Sequence, residues 1–149
     1  MKVKYEVTID APREAVWAAF DNVDNMTRWQ TGLKSFTPVS GTPGQVGAVS
    51  ELVYEENGRE IVMQETLSER REPDLLAGMY DAGFGSTIIV NHFDALDENT
   101  TRWTSWCNYR FRGLMRFLSL FMAGAIKKRV DGDMQRFKLM VESDLADKA

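Results

Sequence analysis

The chain holds one cysteine, one histidine and four prolines in 149 residues. A lone thiol, Cys107, has no partner for an internal disulfide, so stability must come from a packed core and a reducing compartment is the expected setting. One histidine and one cysteine fall short of a structural zinc site. No glycine pattern matches a phosphate loop or dinucleotide fingerprint either, because Gly78, Gly83 and Gly85 lack a following helix. Neither a metal nor a cofactor is therefore expected. There is no excess of positive charge, and a formal charge of -4 argues against general affinity for nucleic acid. Long hydrophobic runs are missing too: Leu114 to Ile126 is interrupted by Arg116 and is too short to span a bilayer. Met1 to Phe20 carries charges throughout, where an export signal would have an apolar core. These absences point to a soluble, cytoplasmic protein without stable membrane insertion.

What is present is 44% apolar content, enough for one domain over 1–149 with a substantial core. Val3, Tyr5, Val7 and Ile9 alternate with Lys2, Lys4, Glu6 and Thr8, the period of a half-buried strand. Pro12 then suits the first turn of a helix, with Asp10 or Ala11 at its cap. Ala15, Val16, Ala19 and Phe20 form the inward stripe of that helix, with Trp17 at its margin. A second helical turn runs from Asp24 to Trp29, and both tryptophans read as packing residues. Turn signals then recur at Gly41–Gly44, Asn57-Gly58, Pro73-Asp74, Gly83–Gly85 and Asp97–Asn99. They delimit strands at about 2–9, 34–40, 47–56, 59–69, 75–82, 86–96 and 100–111. Strands this closely connected pair antiparallel.

The two-residue turn at Asn57-Gly58 allows the partners to be written down: Glu56 with Arg59, Tyr54 with Ile61, Leu52 with Met63, Ser50 with Glu65. Leu52, Tyr54, Ile61, Met63 and Leu67 are assigned to a concave face, and Glu65 travels inward with them. In the last strand Trp103, Ser105, Cys107, Tyr109 and Phe111 make the greasier face. If Glu98-Asn99 is the turn there, His92 falls opposite Ser105 and faces the interior; a loop one residue different brings Phe93 and Asn91 inward instead. From Gly113 the period becomes helical. Met115, Met122, Ile126, Val130, Met134, Phe137 and Val141 recur at spacings of three, four or seven, and Leu114, Phe117, Leu118, Leu120 and Phe121 cover nearly the whole circumference of the first third. Gly124 offers a place to bend.

The order of strand, two short helices, six-stranded meander and long terminal helix, with Ile9-Asp10-Ala11-Pro12 followed by Val16-Trp17, Phe20 and Trp29, resembles the helix-grip superfamily. That group includes START lipid-transfer domains, birch-pollen-allergen-like proteins and the polyketide cyclase/dehydrase group. The resemblance covers essentially the whole chain. It implies an α+β fold in which a curved seven-stranded antiparallel sheet wraps a long C-terminal helix, leaving a cavity for hydrophobic small molecules, lipids or polyketides.

The expected ligand-binding residues are Leu52, Tyr54, Ile61, Met63, Glu65, His92, Trp103, Tyr109, Phe121, Met122 and Ile126. Met63, Met79, Met122 and Met134 suit a deformable lining. Glu65, alone or with His92, is the candidate proton-transfer group, since burial would raise its pKa; a carboxylate near the pocket mouth or paired with an arginine is the plainer reading of the same residue. Cys107 reads as an inert buried thiol. Three functions follow: a carrier of an apolar small molecule, a cyclase/dehydratase-like or hydrolase enzyme, or a protein-protein module using the apolar start of the last helix, as monomer or homodimer. Arg110, Arg112, Arg116, Lys127, Lys128 and Arg129, together with Phe117, Leu120 and Phe121, also allow transient contact with an anionic membrane, although a solvated helix face next to a buried one explains the same residues and is the preferred reading.

Overall fold

The computed structural model describes residues 1–148. One antiparallel sheet is built from β1 (Lys2–Ile9), β2 (Leu33–Ser40), β3 (Val49–Glu56), β4 (Arg59–Arg71), β5 (Leu75–Asp81), β6 (Gly85–Asp97) and β7 (Thr100–Phe111), in the spatial order β1-β7-β6-β5-β4-β3-β2. Each strand expected from alternation is present, with ends displaced by two residues at most. The helices are α1 (Arg13–Asp21), α2 (Met26–Trp29) and α3 (Met115–Asp147), and a 3-10 turn, Val23–Asn25, precedes α2.

Pro12 takes the cap position of α1 itself, one residue later than Ala11 and two later than Asp10, and its carbonyl accepts from the amides of Ala15 and Val16 at 3.0 Å. Lacking an amide hydrogen, proline loses nothing where the first helical donors have no partner. Because β1 and β2 are the two edges of the sheet, the α1–α2 segment crosses from rim to rim and closes one end of the groove.

Extra residues in β4, after Leu67, and in β6, after Ala95, bulge the ladder. Bulges increase local twist and bend, which curves the sheet toward α3. The helix packs against β1, β7, α1 and α2, burying Met134, Phe137, Met140 and Val141. Phe137, with no exposed surface, meets Phe20, Trp29 and Trp103 edge-on at 5.8, 5.3 and 5.0 Å between ring centres. Trp17 and Phe93 extend this aromatic cluster. Each such pair adds about 0.5–1.5 kcal/mol beyond the area it buries, so the cluster ties α1, α2 and α3 to β6 and β7.

Polar ties fix the C-terminal half of α3. Arg28 chelates Asp144 at 2.8 and 2.9 Å, the amide of Asp10 donates to Glu142 at 2.8 Å, and Arg136 donates to the Trp29 carbonyl at 3.1 Å. The helix is continuous through Gly124.

Candidate functional site

Between the sheet and the middle of α3 lies a cavity of about 280 Å³. Its sheet wall begins at the β3–β4 hairpin. Asn57 and Gly58 both have positive φ, 52° and 75°, the geometry of the turn that matches strand twist. The register that follows pairs Tyr54 with Ile61, Leu52 with Met63 and Ser50 with Glu65, as the sequence implies. Leu52, Tyr54, Met63 and Glu65 line the cavity, joined by Trp103 and Tyr109 from β7. Ile61 lies on the same face of the ladder but next to the turn, outside the lining.

Glu65 is 7% exposed and stands in register between Ser50 of β3 and Tyr80 of β5. Burial pushes its carboxyl up from the ordinary range, and a hydrogen bond with the Tyr80 hydroxyl offsets only part of that. The Tyr80 phenol is raised in turn, by burial and then by the neighbouring carboxyl. No arginine pairs with Glu65 among the described residues. Nearby, Tyr54 donates to the Gln30 side chain at 2.7 Å, and burial raises its phenol as well. The wall thus carries a short row of polar groups in otherwise apolar surroundings.

On the β6–β7 side, Trp103 donates its indole hydrogen to Asn91 at 2.9 Å, and the hydroxyls of Tyr5 and Tyr109 stand 3.3 Å apart. Cys107 is buried beside Ser105, and burial pushes its thiol up. The helix contributes Val130 and Met134 as apolar cover. It also contributes Arg129, paired with Glu56, and Asp133, whose carboxyl is raised by burial against the opposing effect of Arg136.

His92 is not part of the site. It pairs with Thr104, while Asn91 pairs with Ser105 and Phe93 with Trp103, so Asn91 and Phe93 take the concave face. The Glu98-Asn99 turn forms as expected, with Asp97 opposite Thr100, but Leu96 is squeezed out as a bulge and shifts every earlier residue of β6 by one. Of the two alternatives for the proton-transfer group, Glu65 alone or Glu65 with His92, the geometry leaves no Glu65–His92 pair across the cavity.

Phe121, Met122 and Ile126 also miss the cavity. Met115, Ser119 and Ala123 take the inward positions of this part of α3; Phe121 is 87% and Met122 39% exposed, and Ile126 is half-buried. With apolar residues around the whole circumference, periodicity offered no way to choose a face. Of the four methionines expected to line the pocket, Met63 and Met134 do, whereas Met79 sits exposed on the outer face.

The inward placement of Asn91 is the alternative that the sequence left open, and the bulge selects it. Other lining residues are not evident from the sequence. Arg129 and Asp133 read as the wet side of a helix, and Trp29, a packing residue as expected, also faces the cavity. Tyr80 was the detectable omission, because it follows from the β4–β5 register once Glu65 is placed inward.

Among the described residues no group of His, Cys, Asp or Glu is arranged to hold a metal ion, and no helix is long and apolar enough to cross a membrane.

Comparison with known proteins agrees with this geometry. The fold superposes on the Zhui aromatase/cyclase from Streptomyces sp. R1128 with a TM-score of 0.85 at 12% identity, covering 97% of this chain and 95% of that one. It superposes on TTHA0849 from Thermus thermophilus with a TM-score of 0.80 at 16% identity, covering 97% and 99%. For Ara h 8.0201 the values are 0.76 and 14%, covering 96% and 98%. Such identities establish shared architecture alone. No curated protein matches by sequence. Residues 1–142 match the family described as polyketide cyclase / dehydrase and lipid transport. The chain is therefore a helix-grip protein and belongs to that family.

Proposed function

We propose that the protein binds a hydrophobic small molecule in the cavity between sheet and α3, as a single 1–149 unit working in a reducing, cytoplasmic setting. The observation that carries this reading is the cavity itself: space of about 280 Å³ lined by apolar residues such as Leu52, Met63, Val130 and Met134, with polar groups at Glu65, Tyr80 and Tyr54 and further ones at Asn91, Arg129 and Asp133. An apolar enclosure with a few convergent polar atoms is the usual form of a small-molecule site. The ligand best suited has an apolar body and one hydroxyl or carbonyl end. A carboxyl kept protonated by burial donates to a carbonyl, and the same group ionised accepts from a hydroxyl.

A second reading rests on Glu65 as well. A buried carboxyl with a raised pKa, hydrogen-bonded to a phenol inside a pocket, is equipped to move a proton on a bound polyketide-like substrate. The likeness to an aromatase/cyclase fold supports keeping it. Without His92, Glu65 would act with Tyr80 alone.

The test compares two neighbours on one strand face. Met63→Trp fills the cavity and should weaken binding of a fluorescent fatty-acid or polycyclic probe about tenfold or more, equivalent to ~1.4 kcal/mol. Ile61→Ala should leave affinity unchanged. Equal effects, or no saturable binding by the wild type, would overturn the binding reading; turnover that survives Glu65→Gln would overturn the catalytic one.

A further inference from the structure

The first third of α3 is built inside out. Toward the sheet it presents Met115, Ser119 and Ala123, the last two small, and Ser119 is buried with its hydroxyl satisfied by the Arg116 carbonyl at 3.0 Å. Toward solvent it presents Leu114, Phe117, Leu118, Leu120 and Phe121, exposed by 72, 68, 43, 77 and 87%. Spacings of three, four and seven put Leu114, Leu118 and Phe121 on one arc, with Phe117 beside them. Monomeric surfaces seldom leave such a contiguous apolar patch open to water without a use for it.

The charge around the patch says what it is for. Six of the chain's 18 lysines and arginines fall between Arg110 and Val130, and none of its 22 aspartates and glutamates does. Arg112 is tied to Asp81 and Lys127 to Asp131, while Arg110, Arg116 and Lys128 are exposed and have no ion-pair partner among the described residues. An acidic protein has thus concentrated positive charge around its one greasy helical face. A second copy of the chain is a poor occupant, because a two-fold contact would bring the same cations against one another.

We infer that this face is an interfacial docking element for an anionic lipid bilayer: Phe117, Leu120 and Phe121 enter the acyl boundary, and Arg116 and Lys128 contact acidic headgroups. The element spans about three turns, roughly 18 Å. Its last cation, Lys128, directly precedes Arg129 and Val130 of the cavity wall, so docking sets the cavity beside the membrane surface. The exposed patch and its charge support such docking whatever the cavity holds.

The experiment is co-sedimentation of the full chain with phosphatidylcholine vesicles, with and without phosphatidylserine at roughly 30%. The protein should pellet with the anionic vesicles, release as salt rises, and stay in solution with the neutral ones. Arg116→Ala with Lys128→Ala should weaken this binding about tenfold or more, and Phe117→Ser with Phe121→Ser should abolish it. Both pairs should keep the wild-type melting temperature and probe binding in the cavity. Equal binding to neutral vesicles, or none to either, overturns the inference. So does light scattering that gives twice the chain mass without lipid and returns to one chain mass in Phe121→Asp, since the patch would then belong to a second copy.

Discussion

Glu65 is the residue on which most depends, because its environment favours the protonated form. A carboxyl whose folded pKa is raised above the usual 4.5 contributes stability that is fully present below that value and lost as pH rises through the raised one. Wild-type protein should therefore lose stability on going from about pH 4 to about pH 7.5 in a way that Glu65→Gln does not. The melting-temperature advantage of the glutamine variant should be larger at the higher pH. An advantage of the same size at both would show that the carboxyl is not desolvated. Tyr80 belongs in the same experiment: Tyr80→Phe removes the hydrogen bond that lowers the Glu65 pKa and should widen the contrast. Asp81 behaves oppositely. Held by Arg112 and the Gly83 amide, its carboxyl lies at about 2, so its contribution vanishes only in strong acid.

Among the elements, the β6–β7 hairpin shows how one residue decides a face. Leu96 is the surplus residue of the bulge and is 48% exposed, and Ala95 already pairs with Thr101 and Asp97 with Thr100. Deleting Leu96 should consequently leave every other pair of the ladder in place, with Phe93 still inward, and cost about 1 kcal/mol or less. Amide chemical shifts that persist from Gly85 to Ala95 would verify this; loss of the native spectrum would refute it. The same hairpin marks the boundary of what could be read in advance. Alternation and turn residues sufficed for seven strands, and Asn57-Gly58 fixed the β3–β4 partners, because those signals are local. Whether β6 is bulged depends on which side chains its neighbours need buried, above all Phe93 against Trp17 and Trp103. The facing of α3 was hidden for a related reason. In its first third the sequence is apolar everywhere, and only the sheet's reach determines which side it covers. Leu52, Tyr54, Met63, Glu65, Trp103 and Tyr109 were legible from register and alternation and Asn91 was one of two open alternatives, whereas Arg129 and Asp133 look like solvent-facing residues until the cavity gives them a place.

For the whole molecule, a guest bound only by the folded state should act on global stability. A ligand at a hundred times its dissociation constant adds about 2.7 kcal/mol, which for a chain of this size corresponds to roughly 5–10 °C in melting temperature. Calorimetry with a titrated probe measures it, and a transition that does not move with ligand would remove the cavity as a binding site. Mechanically, the terminal helix is a beam clamped at its tail by Arg28–Asp144, Asp10–Glu142 and Arg136–Trp29 and joined at its forward tip to β7 through Arg112, which is tied to Asp81. Between clamp and tip stands one strut, Arg129 against Glu56, on the rim of the cavity. Cutting it with Glu56→Gln should hardly change the melting temperature, since an ion pair this exposed contributes about 1 kcal/mol at most, yet stopped-flow displacement should show the guest leaving sooner. A beam braced in this way separates how firmly the container is built from how quickly it empties.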